Sequence, residues 1–392
     1  MDFTLTSEQR MIQESTHRMV ERDIRPLLNA HHPDQPLPKH VTRQILQICA
    51  GQGLTSARVP EKAGGAGLSA LVYGLMVEQL PPVVTLANLG QEATVARIHF
   101  ESTHEQRERL LPDLIAANKI TCTGTTEPDV GSDPRGVKTR VVADGDRYVV
   151  NGRKMWITNA SICDVINVTG SVGKDEAGLA RMMRLIVDRE ESPFEAREIP
   201  TLGLRQGHLG EVVFEDCSVP KRNALGQVGD AARSLTLTWL VNRPILGLAA
   251  VHMAQSALDV ALKYAGERTQ FGRPIGSTQL VQEMLADIAT SVTTSRLLCY
   301  YALSCIDNGE RANQVSAMAK RYSISACQRA ISLAMEVHGA MGISRELGLE
   351  RHYRDVRMLP IPDGTNQILT LIEGRELTGM QAYRMSASKK DH

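Results

Sequence analysis

The chain has 392 residues, which is longer than one ordinary domain and predicts two or three packed units. Its 44 Lys and Arg residues balance 44 Asp and Glu residues, so the formal net charge of +0 provides no global attraction for nucleic acid or an anionic membrane. Hydrophobic residues make up 42% of the chain and charged residues 22%, which is typical of a globular protein. No apolar run approaches the length of a membrane span, which is about 18–20 residues. We therefore expect neither a nucleic-acid partner nor a membrane partner.

The first ten residues, MDFTLTSEQR, do not combine a basic region with a following apolar stretch, so we expect no secretory signal and a cytoplasmic protein. Seven cysteines are scattered without a C-x-x-C pair, which favours buried free thiols over zinc or dithiol chemistry. Aromatic residues amount to only 4%. If this protein presents a large flat surface, stacked protein aromatics do not supply it.

The N-terminal residues read as helices with short breaks. Thr6 and Gln9 have the spacing of a capping box, followed by apolar residues at helical intervals. A further helix is expected at residues 71–80, where Pro81 and Pro82 end it.

The middle of the chain alternates as strands do. Strands are predicted at 139–143, 148–150 and 154–157, joined by hairpin turns at Asp144-Gly145 and Asn151-Gly152. Further strands are expected at 165–168, 185–188 and 212–215. Two tight turns in twenty residues predict an antiparallel meander.

Helical patterning returns after residue 231, with long helices predicted at 245–265, 280–306, 314–338 and 365–378. Helices on both sides of one block of strands make an α+β chain. We predict three domains, with boundaries at 1–119, 120–227 and 228–392.

Well-known short sequence motifs do not indicate a binding site or a catalytic site in this chain. Residues 65–70 (GAGLSA) have the letters of a dinucleotide fingerprint but lack the preceding strand and the following β-α-β unit, so no nicotinamide site is expected. No HExxH, GxSxG, EF-hand or Walker sequence occurs, and we predict no metal site.

Two polar segments flank the start of the meander. Residues 125–133 (TTEPDVGSD) concentrate exposed donors suited to the polar atoms of a cofactor, although a plain interdomain loop has the same composition. Period-2 geometry places Trp156 and Thr158 on one strand face, where an indole and a hydroxyl could cover a flat heterocycle. The alternative is a core tryptophan near a surface threonine.

Two further segments interrupt the C-terminal helices. Arg268 begins a cluster of basic, amide-bearing and aromatic side chains. Its planar guanidinium could bind a pyrophosphate, or it could lie in a solvated turn. Asp363 lies in a turn before the last helix, where it could be a turn residue or an N-cap.

Taken together and in this order, these segments resemble the acyl-CoA dehydrogenase family over essentially the whole chain. The matching patterns are P-E-x-x-G-G-x-G at 60–67, T-E-P-x-x-G-S-D at 126–133, W-I-T-N at 156–159, R-x-Q-F-G-x-P-I at 268–275 with Gln279, H-G-x-M-G at 338–342 and D-G-T-N at 363–366. Six patterns in family order make the resemblance specific.

The resemblance implies an N-terminal helical domain, a middle antiparallel, β-barrel-like domain and a C-terminal four-helix bundle. It also implies a homotetramer, or a homodimer, that binds FAD and passes electrons to an electron-transfer flavoprotein. Within one chain the FAD contacts would be Thr126, Gly131, Ser132, Trp156, Thr158, Gly339, Thr365 and Gln367. Across a subunit interface they would be Arg268, Phe271 and Gln279.

In the implied reaction a carboxylate takes the α-proton of an acyl thioester while the β-hydride passes to the flavin. The family's usual base at the D-G-T turn is Glu, and this chain has Asp363 there. Another position used in the family carries Asn242 here, so Asp363 is the matching base, with its own backbone amide helping to stabilise the enolate. Arg243 and Ser132 would contact the substrate.

Three departures from the family pattern concern the substrate and the cofactor. Pro362 replaces an aromatic residue, and Leu240 replaces an Asp that commonly helps to bind the pantetheine arm. Glu336 and Ala340 replace Gln and Gly, which could shift local cofactor contacts. Alternatives are therefore a nitroalkane-type oxidase, an enzyme for carrier-protein-bound acyl chains, and a catalytically silent subunit.

Overall fold

The computed structural model describes residues 4–176, 178–229, 231–380 and 382, with backbone only for 231–237. The first third of the chain is helical, as predicted. The Thr6–Gln9 capping box is present at the start of the first helix. The helices are α1 (Ser7–Met19), continued by a π-helical turn (Val20–Ile24), α2 (Arg25–Asn29), α3 (Lys39–Ala50), α4 (Ala70–Val77), α5 (Pro82–Glu101) and α6 (His104–Ile115).

Helix α5 was not predicted, and it lies deepest in this part of the chain. Pro82 occupies its first turn, where a missing backbone N–H costs nothing. The preceding helix α4 ends earlier than predicted, at Val77, before the proline pair. Fifteen of its twenty residues are buried, including Glu92 and Arg97. A helix buried on all sides shows no amphipathic period, which explains why the sequence did not reveal it.

The middle of the chain forms one eight-stranded sheet. Its strands are β1 (Thr121–Gly124), β2 (Arg140–Asp144), β3 (Arg147–Thr158), β4 (Val165–Lys174), β5 (Ala180–Asp188), β6 (Glu195–Glu198), β7 (Leu209–Pro220) and β8 (Ala224–Leu225). The order is β6-β7-β3-β2-β4-β5-β8, and β1 pairs with β4.

Two parts of the predicted sheet architecture are wrong. The sheet is mixed rather than antiparallel, because β1 and β2 both pair with β4 in parallel. It is also open rather than barrel-like: β6 and β8 lie at opposite ends of the order, and no pairing joins them among the described residues. The main apolar cluster of the sheet is formed by residues of the middle region themselves, and helices α5 and α6 pack on the sheet in a smaller cluster that includes Ile186.

The two predicted hairpin turns have different outcomes. Asp144-Gly145 is a turn between β2 and β3, and Gly145 has a φ of 52°. Asn151-Gly152 is not a turn, because β3 continues through it with a register shift against β7. A Cβ at Gly152 would lie 2.5 Å from Oγ1 of Thr139, so glycine serves close strand packing at this position.

The C-terminal part is helical, and the four predicted long helices are confirmed. The helices are α7 (Ala231–Glu267), α8 (Gln279–Asp307), α9 (Asn313–His338), α10 (Leu349–Val356) and α11 (Asn366–Thr378). Helices α7, α8 and α9 pack against one another, and α11 packs against α9. A two-stranded ribbon of β9 (Thr269–Gln270) and β10 (Arg273–Pro274) projects between α7 and α8.

The part of α7 from Thr238 to Glu267 is long and apolar enough to cross a membrane, with a mean hydropathy of 1.5, so the expectation that no apolar run has this length is wrong. However, 67% of the apolar window is buried inside the protein, as in the core helix of a bundle. Length and composition alone are weak support for a membrane span.

The apolar core joins the two helical parts. One cluster contains residues of the N-terminal helices and of α7, α8 and α9, such as Tyr73 and Leu248. A second lies within the sheet and includes Phe214. All seven cysteines are buried and free, as predicted. Because the helices share one core, the turn after α10 is held against elements of both helical parts.

Candidate active site

The turn carrying Asp363 lies between α10 and α11 and has an unusual backbone. Asp363 has a φ of 52° and Gly364 a φ of 100°, two successive left-handed residues. Asp363 is half-buried. The N-cap of α11 is Thr365, whose hydroxyl accepts a hydrogen bond from the backbone N–H of Ile368 at 3.4 Å. The interpretation of Asp363 as an N-cap is therefore wrong.

Arg243 holds this turn from α7. Its Nε donates to the backbone oxygen of Asp363 at 3.2 Å, and its guanidinium lies 5.8 Å from the ring centroid of Trp239. Burial lowers the pKa of Arg243, although the charge of Asp363 opposes this shift. Because the contact is to the backbone, the arginine fixes the turn without occupying the carboxylate.

Lys320 on α9 holds the same turn from the other side. Its Nζ donates to the backbone oxygens of Pro360 at 3.3 Å, of Gly364 at 2.6 Å, and of Pro362. The side chain is fully buried, and burial lowers its pKa to about 7, despite the opposing charge of Asp363. Sequence reasoning missed this residue, since a lysine within a helix usually reads as part of its solvated face.

The carboxylate of Asp363 is left free by these contacts. Among the described residues, no hydrogen bond reaches either of its side-chain oxygens. Burial lowers the pKa of Arg97, Arg243 and Lys320, and the charge of Asp363 opposes that lowering in each case. A carboxylate whose oxygens are not occupied by a donor is available to accept a proton.

The T-E-P segment is tied to the sheet through Glu127. The buried carboxylate of Glu127 pairs with Lys154 at 2.7 Å and accepts bonds from the backbone N–H groups of Lys138 and Thr139. Burial lowers the pKa of Lys154 to about 8. The adjacent Thr126 accepts a hydrogen bond at its backbone oxygen from Met155 at 3.0 Å. The structure therefore brings Thr126 beside the segment carrying Trp156.

Trp156 does not follow the regular alternation that the sequence reasoning assumed. Its φ is 62°, and the register of β3 against β7 shifts between Lys154 and Ile157. The indole is 51% exposed, so the alternative of a core tryptophan is wrong. Thr158 is half-buried.

Helix α5 passes directly behind this segment at Gly90. A Cβ at Gly90 would lie 3.1 Å from Nδ2 of Asn159 and 3.6 Å from Cγ2 of Thr158. Asn159 is fully buried and donates to the backbone oxygen of Ala87 at 2.9 Å. The position of Thr158 is thus set by the helix that sequence reasoning missed.

The other predicted cofactor residues lie on exposed segments. Gly131 and Ser132 are exposed in the loop before the 3-10 turn Pro134–Gly136, and Gly339 and Gln367 are exposed at the ends of α9 and α11. Glu336, whose charge would disfavour a pyrophosphate nearby, is also exposed.

Arg268, Phe271 and Gln279 lie on or beside the projecting ribbon. Phe271 is 99% exposed, with a φ of 52°, and Arg268 and Gln279 are exposed too. Within the described chain no hydrogen bond or ion pair joins these residues to Thr126, Thr158 or Asp363. They form a separate group that faces outward.

The residues around Trp156 fit a flat cofactor with polar edges. The hydroxyls of Thr126 and Thr158 have no hydrogen-bond partner in the part of the chain that the structure describes, and the indole beside them is half exposed. Unpaired hydroxyls next to an open aromatic face suit the edge and the plane of a heterocycle such as the FAD ring. In the same described ranges, no group of His, Cys, Asp and Glu side chains is arranged to hold a metal ion.

The chain matches three sequence families over nearly its whole length. They are described as acyl-CoA dehydrogenase N-terminal domain at residues 6–118, middle domain at 122–217 and C-terminal domain at 233–378. The chain is 33% identical over 389 residues to the probable acyl-CoA dehydrogenase YngJ of Bacillus subtilis, covering 96% of this chain and all of that protein. It is 34% identical to the caffeyl-CoA reductase-Etf complex subunit CarC of Acetobacterium woodii, covering 84% of this chain and 88% of that protein.

A solved structure described as the FAD complex of PigA has the same fold. It superposes with a TM-score of 0.90 at 25% identity, and the match covers 96% of this chain and 99% of that one. That structure contains FAD.

Proposed function

The chain belongs to the acyl-CoA dehydrogenase family, and from this premise we propose that Asp363 is the base in the α,β-dehydrogenation of an acyl-CoA thioester. The protein is an FAD-dependent oxidoreductase acting on CH–CH bonds. The single observation that carries the assignment of Asp363 is its arrangement: Arg243 and Lys320 bind backbone oxygens of the turn, while the carboxylate oxygens have no donor among the described residues.

In the proposed reaction, the carboxylate of Asp363 removes the proton from the carbon next to the thioester carbonyl. Bound FAD supplies the acceptor for the hydride that leaves the adjacent carbon. The product is the 2,3-enoyl thioester, and both hydrogens are accounted for, because the proton would be on Asp363 and the hydride on the cofactor.

The chain's own groups prepare this step. Asp363 would contribute two groups to the reaction, its carboxylate and its backbone N–H. We propose that the N–H donates to the thioester oxygen, where negative charge develops. Arg243 and Lys320 keep the turn fixed from two helices. Thr126 and Thr158 would hold the polar edge of the cofactor beside Trp156.

We also propose that a second copy of the chain completes the cofactor site and that an electron-transfer flavoprotein receives the electrons. The outward-facing Arg268, Phe271 and Gln279 support the first proposal, since they lie apart from the Thr126 group of their own chain. The relative named as a subunit of an Etf complex supports the second.

The test is anaerobic bleaching of the FAD absorbance by a panel of acyl-CoA thioesters, with Asp363→Asn as the variant. Asparagine accepts the left-handed backbone, so FAD binding is expected to persist while bleaching is abolished. Asp216→Asn is a matched control, because Asp216 also has a positive φ, 46°, but is exposed on β7.

Bleaching that survives in Asp363→Asn would overturn the assignment of the base. Failure of every thioester with the FAD-loaded wild-type protein would overturn the dehydrogenase reaction itself. Rapid oxygen consumption by the substrate-reduced enzyme would instead favour an oxidase over transfer to an electron-transfer flavoprotein.

A further inference from the structure

A second group of charged side chains lies beside the Asp363 turn, on the N-terminal side of the site. Glu92 of α5 is fully buried, and its carboxylate accepts from the backbone N–H of Arg58 at 3.2 Å and from Nε of Arg58 at 2.9 Å. Nη2 of Arg58 reaches Oδ1 of Asn242 at 3.4 Å, one residue before Arg243. Arg58 and Glu92 thus form a closed ion pair that reaches the helix holding the base turn.

Arg97, one and a half turns further along α5, has no such partner. It is 5% exposed, and its single hydrogen bond runs from Nη1 to Oγ1 of Thr123 at 3.0 Å. Its Nε is buried without a partner, and no carboxylate lies within ion-pair distance of the guanidinium among the described residues. The nearby Glu101 is paired with Arg184 instead.

The hydroxyls around Arg97 form a chain with a fixed direction. Oγ1 of Thr94 donates to the backbone oxygen of Gly90 at 2.8 Å and lies 2.9 Å from Oγ1 of Thr123. Because the proton of Thr94 is used, Thr123 donates to Thr94 and accepts from Arg97. Neither threonine can neutralise the guanidinium, so no group bonded to Arg97 carries the opposite charge.

The free edge of Arg97 has the shape of a carboxylate site. Nη1 is occupied by Thr123, which leaves Nε and Nη2, the two donors that bind a carboxylate side by side. Burying a charge without a partner is unfavourable, and burial, together with the charge of Arg184, lowers the pKa of Arg97 to about 9. An anion bound at this edge would remove both penalties.

Arg97 is also close to the proposed reaction site. Thr123, its partner, lies three residues before Thr126 on the same chain segment, and Gly90 on the same helix contacts Thr158. The charge of Asp363 acts on Arg97 as well as on Arg58. Arg97 therefore lies near both the base turn and the segments that carry Thr126 and Thr158.

We propose that Arg97 is a specificity-determining residue that binds a carboxylate at the far end of the acyl group, so that the substrate is a monothioester of a dicarboxylic acid. This inference rests on the proposed dehydrogenase function of the same site. Arg58 is not the anchor, because Glu92 already neutralises it. The carboxylate of the substrate would occupy the edge that the protein leaves open.

The test uses pairs of CoA thioesters of equal chain length, ending either in a methyl group or in a carboxylate. Rates and half-saturation concentrations of anaerobic FAD bleaching are measured for wild type, Arg97→Met and Arg97→Lys. In the wild type we expect the carboxylate series to be preferred by about 10- to 100-fold. Arg97→Met should remove the preference and leave the methyl series within about threefold, and Arg97→Lys should retain part of it because it keeps the charge without the two-donor edge.

Arg109→Met is the matched control, because it removes a neighbouring arginine whose Nη2 binds Asn223 at 2.7 Å. If the Arg97 variants do not fold, wild type alone decides, by comparing each ω-carboxyl thioester with its methyl ester. No preference for the free acid over its ester overturns the proposal.

The outcomes separate the two proposals. If methyl-ended thioesters bleach FAD and carboxylate-ended ones do no better, the inference about Arg97 fails and the dehydrogenase function stands. If neither series bleaches, the proposed function fails. If Arg97→Met shifts the midpoint potential of bound FAD but leaves the ratio between the series unchanged, Arg97 serves the cofactor and the inference is overturned.

Discussion

Nζ of Lys320 lies 2.6 Å from the backbone oxygen of Gly364, and through it helix α9 is bonded to the turn that presents Asp363. The same ammonium group donates to Pro360 and Pro362, so its three hydrogens match three carbonyl acceptors. One buried side chain thus fixes three alternate residues around the proposed base. Lys320 is a positioning residue, because it acts through the turn and not on the substrate.

Replacing Lys320 with methionine is expected to lower the rate of FAD bleaching by about 10- to 100-fold, because the turn loses three donors and the carboxylate is displaced. FAD content should stay near that of the wild type, since Lys320 contacts only the turn. Single-turnover absorbance measures the first and the protein-to-flavin ratio the second. Arg329→Met on the same helix, where the side chain is exposed beside Asp287, is the control. Equal rates in both variants would contradict the role of Lys320.

The stability of the protein should rise with pH between about 7 and 9. Burial lowers the pKa of Lys320 to about 7 and that of Lys154 to about 8, from an ordinary value of 10.5. At pH values between these two pKa values and 10.5, the unfolded chain binds more protons than the folded one, so the free energy of unfolding increases with pH. Below about pH 7 both amines are charged in the folded protein, and the full cost of burying those charges is present. Lys320→Met removes one contribution and should flatten the rise. Urea unfolding at pH 6, 7, 8 and 9 checks this, and an unchanged slope would exclude Lys320 as a source.

Gly90→Ala is expected to weaken FAD binding about tenfold, or ~1.4 kcal/mol. The new Cβ would lie 3.1 Å from Nδ2 of Asn159, which is held by Ala87, so the strain passes to Thr158. Gly374→Ala on α11 is the matched control, because no atom lies within 4 Å of its Cβ position. A helical glycine in open space should instead gain about 0.5–1 kcal/mol of stability on becoming alanine. Equal FAD affinity in the two variants would mean that α5 does not set the cofactor face.

Arg268→Ala is expected to reduce FAD retention and the stability of the oligomer together, because its proposed partner is the cofactor of another subunit. Arg273→Ala, on the facing strand of the same exposed ribbon, should change neither. Flavin content after gel filtration and sedimentation velocity of the same samples measure both properties. Loss of FAD with an unchanged oligomer would contradict a contact across the interface.

The sequence predicts those features that depend on neighbouring residues. The Thr6–Gln9 capping box and the Asp144-Gly145 turn are local chemistry, and both are present. The four predicted C-terminal helices are present as well. Family patterns identify the D-G-T turn, since it is one continuous segment.

What the sequence did not reveal depends on contacts between distant residues. Lys320 and Asp363 are 43 positions apart, and Arg58, which lies in a turn, is 34 positions from Glu92 of α5. Asn151-Gly152 has the letters of a turn, and only the close approach of Thr139 shows that glycine is needed for packing. A buried charge reads as a surface charge until its partner is known.

The left-handed backbone at Asp363 connects the choice of acid to the shape of the substrate complex. Short polar side chains enter this conformation more readily than long ones, so aspartate relieves strain in the turn, and a glutamate there would add a cost on the order of 1 kcal/mol. Aspartate is also one carbon–carbon bond shorter than glutamate, so its carboxylate reaches about 1.5 Å less far from the backbone. With Asp363 as the proposed base, the reacting carbon would have to approach the backbone of the turn more closely than a glutamate base would require. The identity of this one residue would therefore set how closely the thioester approaches Gly364.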